Sequence, residues 1–105
     1  MLWVRTEYKR GVLFVRLDGR IDNEGYINKI NWLIDKIGIK YTVINLTNIN
    51  NISITNINHI YKHIQNQKRK QRLLIICDEN NLRNVLFKKE IPKITREQDA
   101  FSIIL

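Results

Sequence analysis

One cysteine, one proline and four glycines in 105 residues already exclude a good deal. Cys77 alone can form neither an internal disulfide nor a cysteine-based zinc site within one chain. The glycines, at 11, 19, 25 and 38, never cluster. The chain therefore lacks G-x-x-x-x-G-K-S/T and G-x-G-x-x-G, the loops whose bare backbone cradles phosphates, and it also lacks H-E-x-x-H. No apolar run approaches the roughly 20 residues that span a bilayer. The opening Met1-Leu2-Trp3-Val4-Arg5 lacks the apolar stretch of a signal peptide. The expectation is a cytoplasmic protein without membrane insertion. One hydrophobic core is what this length supports, so residues 1–105 are read as a single domain.

Acidic side chains are scarce in the middle. None occurs between Asp35 and Asp78. Over the whole chain 18 Lys and Arg face 10 Asp and Glu, a formal charge of +8. Lys62, Lys68, Arg69, Lys70 and Arg72 gather inside the acid-free stretch. Such a cluster could contact nucleic-acid phosphates without reading sequence, and that is the alternative function. Only Tyr61 supplies an aromatic nearby, and cations at a helix C-terminus complement its dipole. A solvated turn accounts for the run more simply. The abundance of isoleucine and asparagine reads as codon bias toward AT-rich DNA.

What remains is a clear alternation of strands and helices. Residues 2–8 and 12–17 read as two strands joined by a tight turn at Lys9-Arg10-Gly11, the first outer, the second more buried. Ile27, Ile30, Leu33, Ile34 and Ile37 mark an amphipathic helix over 24–37, with Asp22 or Asn23 as its cap and Gly38 as its stop. Thr42-Val43-Ile44-Asn45-Leu46 is a buried strand. Ile57, Ile60, Tyr61 and Ile64, with Ile54 one turn earlier, mark a second helix capped by Ser53 or Thr55. Leu73-Leu74-Ile75-Ile76-Cys77 is the most apolar run and the expected central strand. Leu82, Val85 and Leu86 suggest a short helix after Asp78. Ile91-Pro92-Lys93-Ile94 is extended. Thr95 and Gln98 form a capping-box pattern before Ala100, Phe101 and Ile104. The order ββαβαβαβα, with about four helices, defines an α/β domain with a mixed, mostly parallel sheet.

Several of these segments together resemble the STAS domain, the fold of bacterial anti-sigma-factor antagonists. Val15-Arg16-Leu17-Asp18-Gly19-Arg20-Ile21-Asp22 is similar to the family's strand ending in Leu-x-Gly-x-Leu-Asp. Val43-Ile44-Asn45-Leu46-Thr47-Asn48-Ile49 is similar to its Val-Val-Leu-(Asp/Asn)-Leu-Ser-x-Val strand. Residues 51–57 stand where the family has Phe-(Ile/Met)-Asp-Ser-Ser-Gly-Leu. Leu73–Cys77, residues 82–87 and Ile94 to Phe101 match the next strand, a short helix and the last helix. The resemblance implies a non-enzymatic STAS module that holds no cofactor and binds an anti-sigma factor with serine-kinase activity, in transcription or stress signalling. It also implies a phosphorylation switch. In register from Leu46, Ser53 stands at the family's aspartate, Ile54 at its phospho-acceptor serine, Thr55 at the second serine and Asn56 at the glycine. The acceptor position is thus an isoleucine, and Ser53 and Thr55 are the hydroxyl candidates. Asp22, Asn50, Asn51, Ser53, Ile54, Thr55 and Asn56 are the expected partner-binding residues. A scaffold subunit of a larger assembly, or a lipid-handling STAS subunit regulating a transporter, is a further reading.

Hydroxyls at a helix start suit phosphorylation, because unpaired amides and the dipole favour the added charge. Capping alone explains Ser53 and Thr55 more simply, and Asp22 equally well. His59 and His63, spaced i, i+4, have the separation of a metal pair, but no Cys or carboxylate lies near them in sequence, so solvated histidines are expected. Cys77 reads as a buried hydrophobe and Asp78-Glu79 as caps, so no catalytic set emerges. Trp32 is expected in the core. Trp3 is expected to pack on the sheet; exposed, it would suit an anchor for a partner or a homodimer.

Overall fold

The computed structural model describes residues 1–80, 87 and 90–104. Strands β1 (Leu2–Lys9), β2 (Val12–Gly19), β3 (Tyr41–Ile49), β4 (Leu73–Cys77) and β5 (Lys93–Ile94) form one sheet in the order β1-β2-β3-β4-β5. β1 runs antiparallel to β2; every other neighbouring pair is parallel. Helix α1 (Gly25–Ile37) connects β2 to β3, and α2 (Ile54–Arg69) connects β3 to β4. A 3-10 turn at Glu97–Asp99 leads into the short α3 (Ala100–Ile104). The helix expected over Leu82, Val85 and Leu86 lies outside the described residues.

The period-2 geometry of strands sorts the core into two layers. Leu13, Val15, Leu17, Ile44, Leu46, Leu74 and Ile76 face one side. There they meet Ile27, Ile30 and Ile34 of α1 and Ile57, Ile60 and Ile64 of α2. Val12, Phe14, Val43, Ile75 and Cys77 face the other side, with Ile94 and Ala100, against which Phe101 and Ile104 pack. α1 and α2 share a face because both crossovers have the same hand and step the same way along the sheet.

Gly38 and Gly19 each meet a demand of the backbone. Gly38 closes α1 in the left-handed conformation (φ 75°), its N–H donating to the Ile34 carbonyl at 2.8 Å. Gly19 has φ 105°, and a Cβ there would collide with the Met1 carbonyl. That carbonyl instead accepts from the Arg20 N–H at 3.2 Å.

Some local expectations fail for identifiable reasons. Trp32 is 64% exposed, one helical step outside the Ile27–Ile30–Ile34 stripe, and Trp3, also 64% exposed, lies on the edge strand β1, on the face opposite the Leu2 and Val4 side that borders α1. Ile54 is likewise 64% exposed, because the buried face of α2 starts at Asn56. Asp22 caps nothing: it pairs with Arg20 at 3.1 Å, while Asn23 Oδ1 accepts from the Gly25 N–H at 2.8 Å. The capping box at Thr95 does not form, since Arg96 flanks the 3-10 turn without a side-chain cap. Glu97 is occupied elsewhere, accepting from Arg16 Nε at 2.9 Å and Asn45 Nδ2 at 2.8 Å. This half-buried cluster holds the Glu97 carboxyl below its usual range, chiefly through the Arg16 hydrogen bonds.

Candidate functional site

The C-terminal ends of β2 and β3 lie side by side, with Gly19 paired to Ile49. The Asn50 N–H donates to the Gly19 carbonyl at 2.9 Å, which brings the 20–24 and 50–53 connections together at one end of the sheet. The bend is anchored from below. Ile49 and Ile57 are buried, and Ile52 packs partly buried against the same core. Its outer side is left to solvent: Asn50, Asn51, Ser53, Ile54 and Thr55 are exposed, as is Asp22 on the neighbouring loop.

Ser53 begins α2 in an extended conformation. Its Oγ accepts from the Asn56 N–H at 3.1 Å, and its carbonyl accepts from the Ile57 N–H at 3.0 Å. It is the cap, and Thr55 sits inside the first turn. That turn contains no acid, so the positive end of the helix dipole is not offset by its own side chains. An added phosphate at Ser53 or Thr55 would meet a favourable field. Asn56, expected on the binding surface, is buried at 9% exposure. It faces inward because it lies one residue before Ile57 on the packed side of α2, so the exposed patch is Asp22, Asn50, Asn51, Ser53, Ile54 and Thr55.

The histidines are not simply solvated. α1 lies against α2, and α1 with its N-cap Glu24 supplies the partners that sequence proximity did not. His59 Nε2 approaches Glu24 at 3.4 Å, and the His63 ring meets the Asn31 side-chain amide. Glu24, Asn28, His59, Lys62, His63 and Arg69 line a groove of about 580 Å³ between the helices. Among the described residues no group of three or more His, Cys, Asp or Glu could hold a metal. Behind the groove runs a polar chain missed by pattern reading. Buried Gln67 donates to Asn31 Oδ1 at 2.9 Å and to Asp35 Oδ1 at 3.2 Å, and accepts from Arg72 at 3.2 Å. Lys70 and Arg72 both pair with Asp35, whose pKa falls mainly through the Lys70 bond. Two of the five cations in the basic cluster are thus tied to α1, while Lys62 and Arg69 border the groove. Cys77 is buried, and desolvation pushes its thiol up to about 12, far from the reactive range.

This topology is the STAS fold, the α/β architecture shared with anti-sigma factor antagonists. The chain is similar over 99% of its length to 94% of an anti-sigma factor antagonist from Mycobacterium paratuberculosis, with a TM-score of 0.81 and 14% identity. It is similar over 97% of its length to 97% of the anti-sigma factor antagonist SpoIIAA in its unphosphorylated form, with a TM-score of 0.76 and 13% identity. A Shewanella loihica protein with a SpoIIAA-like fold matches over 99% of this chain and 94% of its own, at a TM-score of 0.60 and 14% identity. No family model matches the sequence, and no curated protein does. Among the described residues no helix is long and apolar enough to cross a membrane.

Proposed function

We propose that this chain is a non-enzymatic interaction module that acts as an anti-sigma-factor antagonist. It binds an anti-sigma factor with serine-kinase activity through the exposed bend before α2 and holds no cofactor itself. The observation that carries this reading is the exposed Ser53-Ile54-Thr55 start of α2, set on a fold shared along nearly the whole chain with antagonists. Ile54 stands at the position where the family accepts phosphate. The direct consequence is a binder without the usual switch, constitutive unless Ser53 or Thr55 takes the phosphate instead. Its site of action is the cytoplasm.

The test pairs this chain with an anti-sigma kinase encoded beside its gene, with ATP present. Retained binding with an unchanged intact mass supports the constitutive form; one added phosphate and loss of binding supports the switched form. Ile54→Glu adds a charge at the centre of the exposed patch without touching the core. It is expected to weaken binding by at least roughly tenfold, the equivalent of about 1.4 kcal/mol, with unchanged unfolding. Full binding by this variant would refute the docking face.

A further inference from the structure

The two edges of the sheet differ. β5 is two residues long and offers almost nothing to pair with. β1 is eight residues long, contains no proline, and pairs with β2 in unbroken register. From Trp3 to Lys9 every β1 residue is exposed, Trp3 at 64% and Tyr8 at 63%. A long, regular edge of this kind presents a row of unpaired N–H and C=O groups to another strand.

Which groups point outward follows from the hairpin. Arg10 (φ 54°) and Gly11 (φ 83°) make a two-residue turn with both central φ positive, so Lys9 and Val12 are a hydrogen-bonded pair. Alternation then turns the backbone groups of Glu7, Arg5 and Trp3 toward β2. Those of Val4, Thr6 and Tyr8 point to the open edge.

We propose that β1 pairs antiparallel with β1 of a second copy of this chain about a two-fold axis at Thr6, forming a homodimer with one continuous sheet. The sequence of the strand is self-complementary about that residue. Arg5 falls opposite Glu7 of the second copy, and Glu7 opposite its Arg5. Lys9 falls opposite the Trp3 ring, and Val4 opposite Tyr8. Arg5 and Glu7 occupy the non-hydrogen-bonded positions, where opposed side chains come closest. Glu7 already accepts from Arg16 through Oε1 at 2.9 Å, which leaves Oε2 for Arg5 of the second copy. Axes at Arg5 or Glu7 would oppose like charges. Axes at Val4 or Tyr8 would leave about half the strand without a partner. The pairing also continues an apolar groove of about 320 Å³ between β1 and α1, lined by Leu2, Val4, Tyr26, Ile30 and Leu33, into its symmetry copy. This surface is independent of the bend before α2, so either can fail without the other.

Sedimentation equilibrium of the full chain at roughly 0.15 M salt, where the net positive charge is screened beyond about 8 Å, reads the result. The wild type is expected to dimerise with concentration. Thr6→Pro removes an outward N–H that β2 does not use, and should weaken the dimer at least about tenfold while circular dichroism stays native. Arg5→Glu and Glu7→Arg should each weaken it, and the double swap should recover it. A wild type that stays monomeric at high micromolar concentration, or a dimer indifferent to Thr6→Pro, overturns the proposal. Failure of the double swap to recover what the single changes lose overturns the Thr6 axis. Pairing with an extended peptide from another protein, but not with itself, also counts against it.

Discussion

Replacing Gln67 by methionine tests whether the polar chain between the two helices holds them in place. The substitution keeps an unbranched side chain of similar length and removes three hydrogen bonds. Their losses are unequal. Arg72 and Asp35 keep each other, and Asp35 keeps Lys70, in the partly exposed outer part of the network. Asn31 is only 8% exposed, and its Oδ1 would lose its donor where water cannot replace it. An orphaned buried acceptor costs about 1–3 kcal/mol, and the lost bonds add about 1 kcal/mol, partly offset by better burial of the methionine. The expected cost is about 2–3 kcal/mol. For a domain of this size that lowers Tm by roughly 10 °C or more. Urea unfolding followed by circular dichroism measures it, and the double variant with Asn31→Leu should show a coupling of about 1 kcal/mol or more. A change under about 0.5 kcal/mol, or simple additivity, would mean that the network is incidental and apolar packing alone sets how the helices sit.

The same chain fixes the state of His63. Arg72 must donate to Gln67 Oε1, so Gln67 Nε2 faces Asn31 Oδ1 and the Asn31 amide group donates to His63 Nδ1. That nitrogen carries no proton, and burial holds the His63 pKa below its usual 6.5, with His59 and Lys62 acting the same way and Glu24 opposing. The unfolded chain then binds more protons than the folded one, so stability is full above about pH 6.5 and falls as the pH drops through that value toward the folded pKa. His63→Gln should flatten that limb while leaving the loss below about pH 4 that comes from Asp35 and Glu97, whose lowered carboxyl pKa values act in the same direction at lower pH. An unchanged curve would show that His63 protonates freely. Ser53→Ala should cost about 1 kcal/mol in urea unfolding, whereas Ser53→Asp, which can also cap, should cost little; equal losses would deny the capping bond.

Much of the architecture is legible because local chemistry dictates it. The Ile27–Ile30–Ile34 and Ile57–Ile60–Ile64 stripes define two helices of one-sided burial, Gly38 stops the first, and Ser53 caps the second. Leu74–Cys77 is buried because nothing in it tolerates water. The exposed bend before α2 also follows from sequence, since polar residues there alternate with only enough isoleucine to anchor it.

Pairings between distant segments escaped the pattern. No spacing rule links Asn31 to Gln67 or Glu97 to Arg16, and the carboxylate beside His59 comes from Glu24, 35 positions earlier at the start of α1. Thr95 and Gln98 have the letters of a capping box, yet Arg16 claims the neighbouring Glu97 and the first turn tightens instead. Trp32 looks apolar enough for the core and Trp3 for packing on the sheet, but burial depends on what lies opposite, and among the described residues little covers either. Residue order, then, determined the helices, the strands and their turns, because propensity, period and capping act within a few residues. Only the folded chain decided which polar groups meet across the helix pair and which edge stays open, because those depend on packing geometry between parts of the chain that are far apart in sequence.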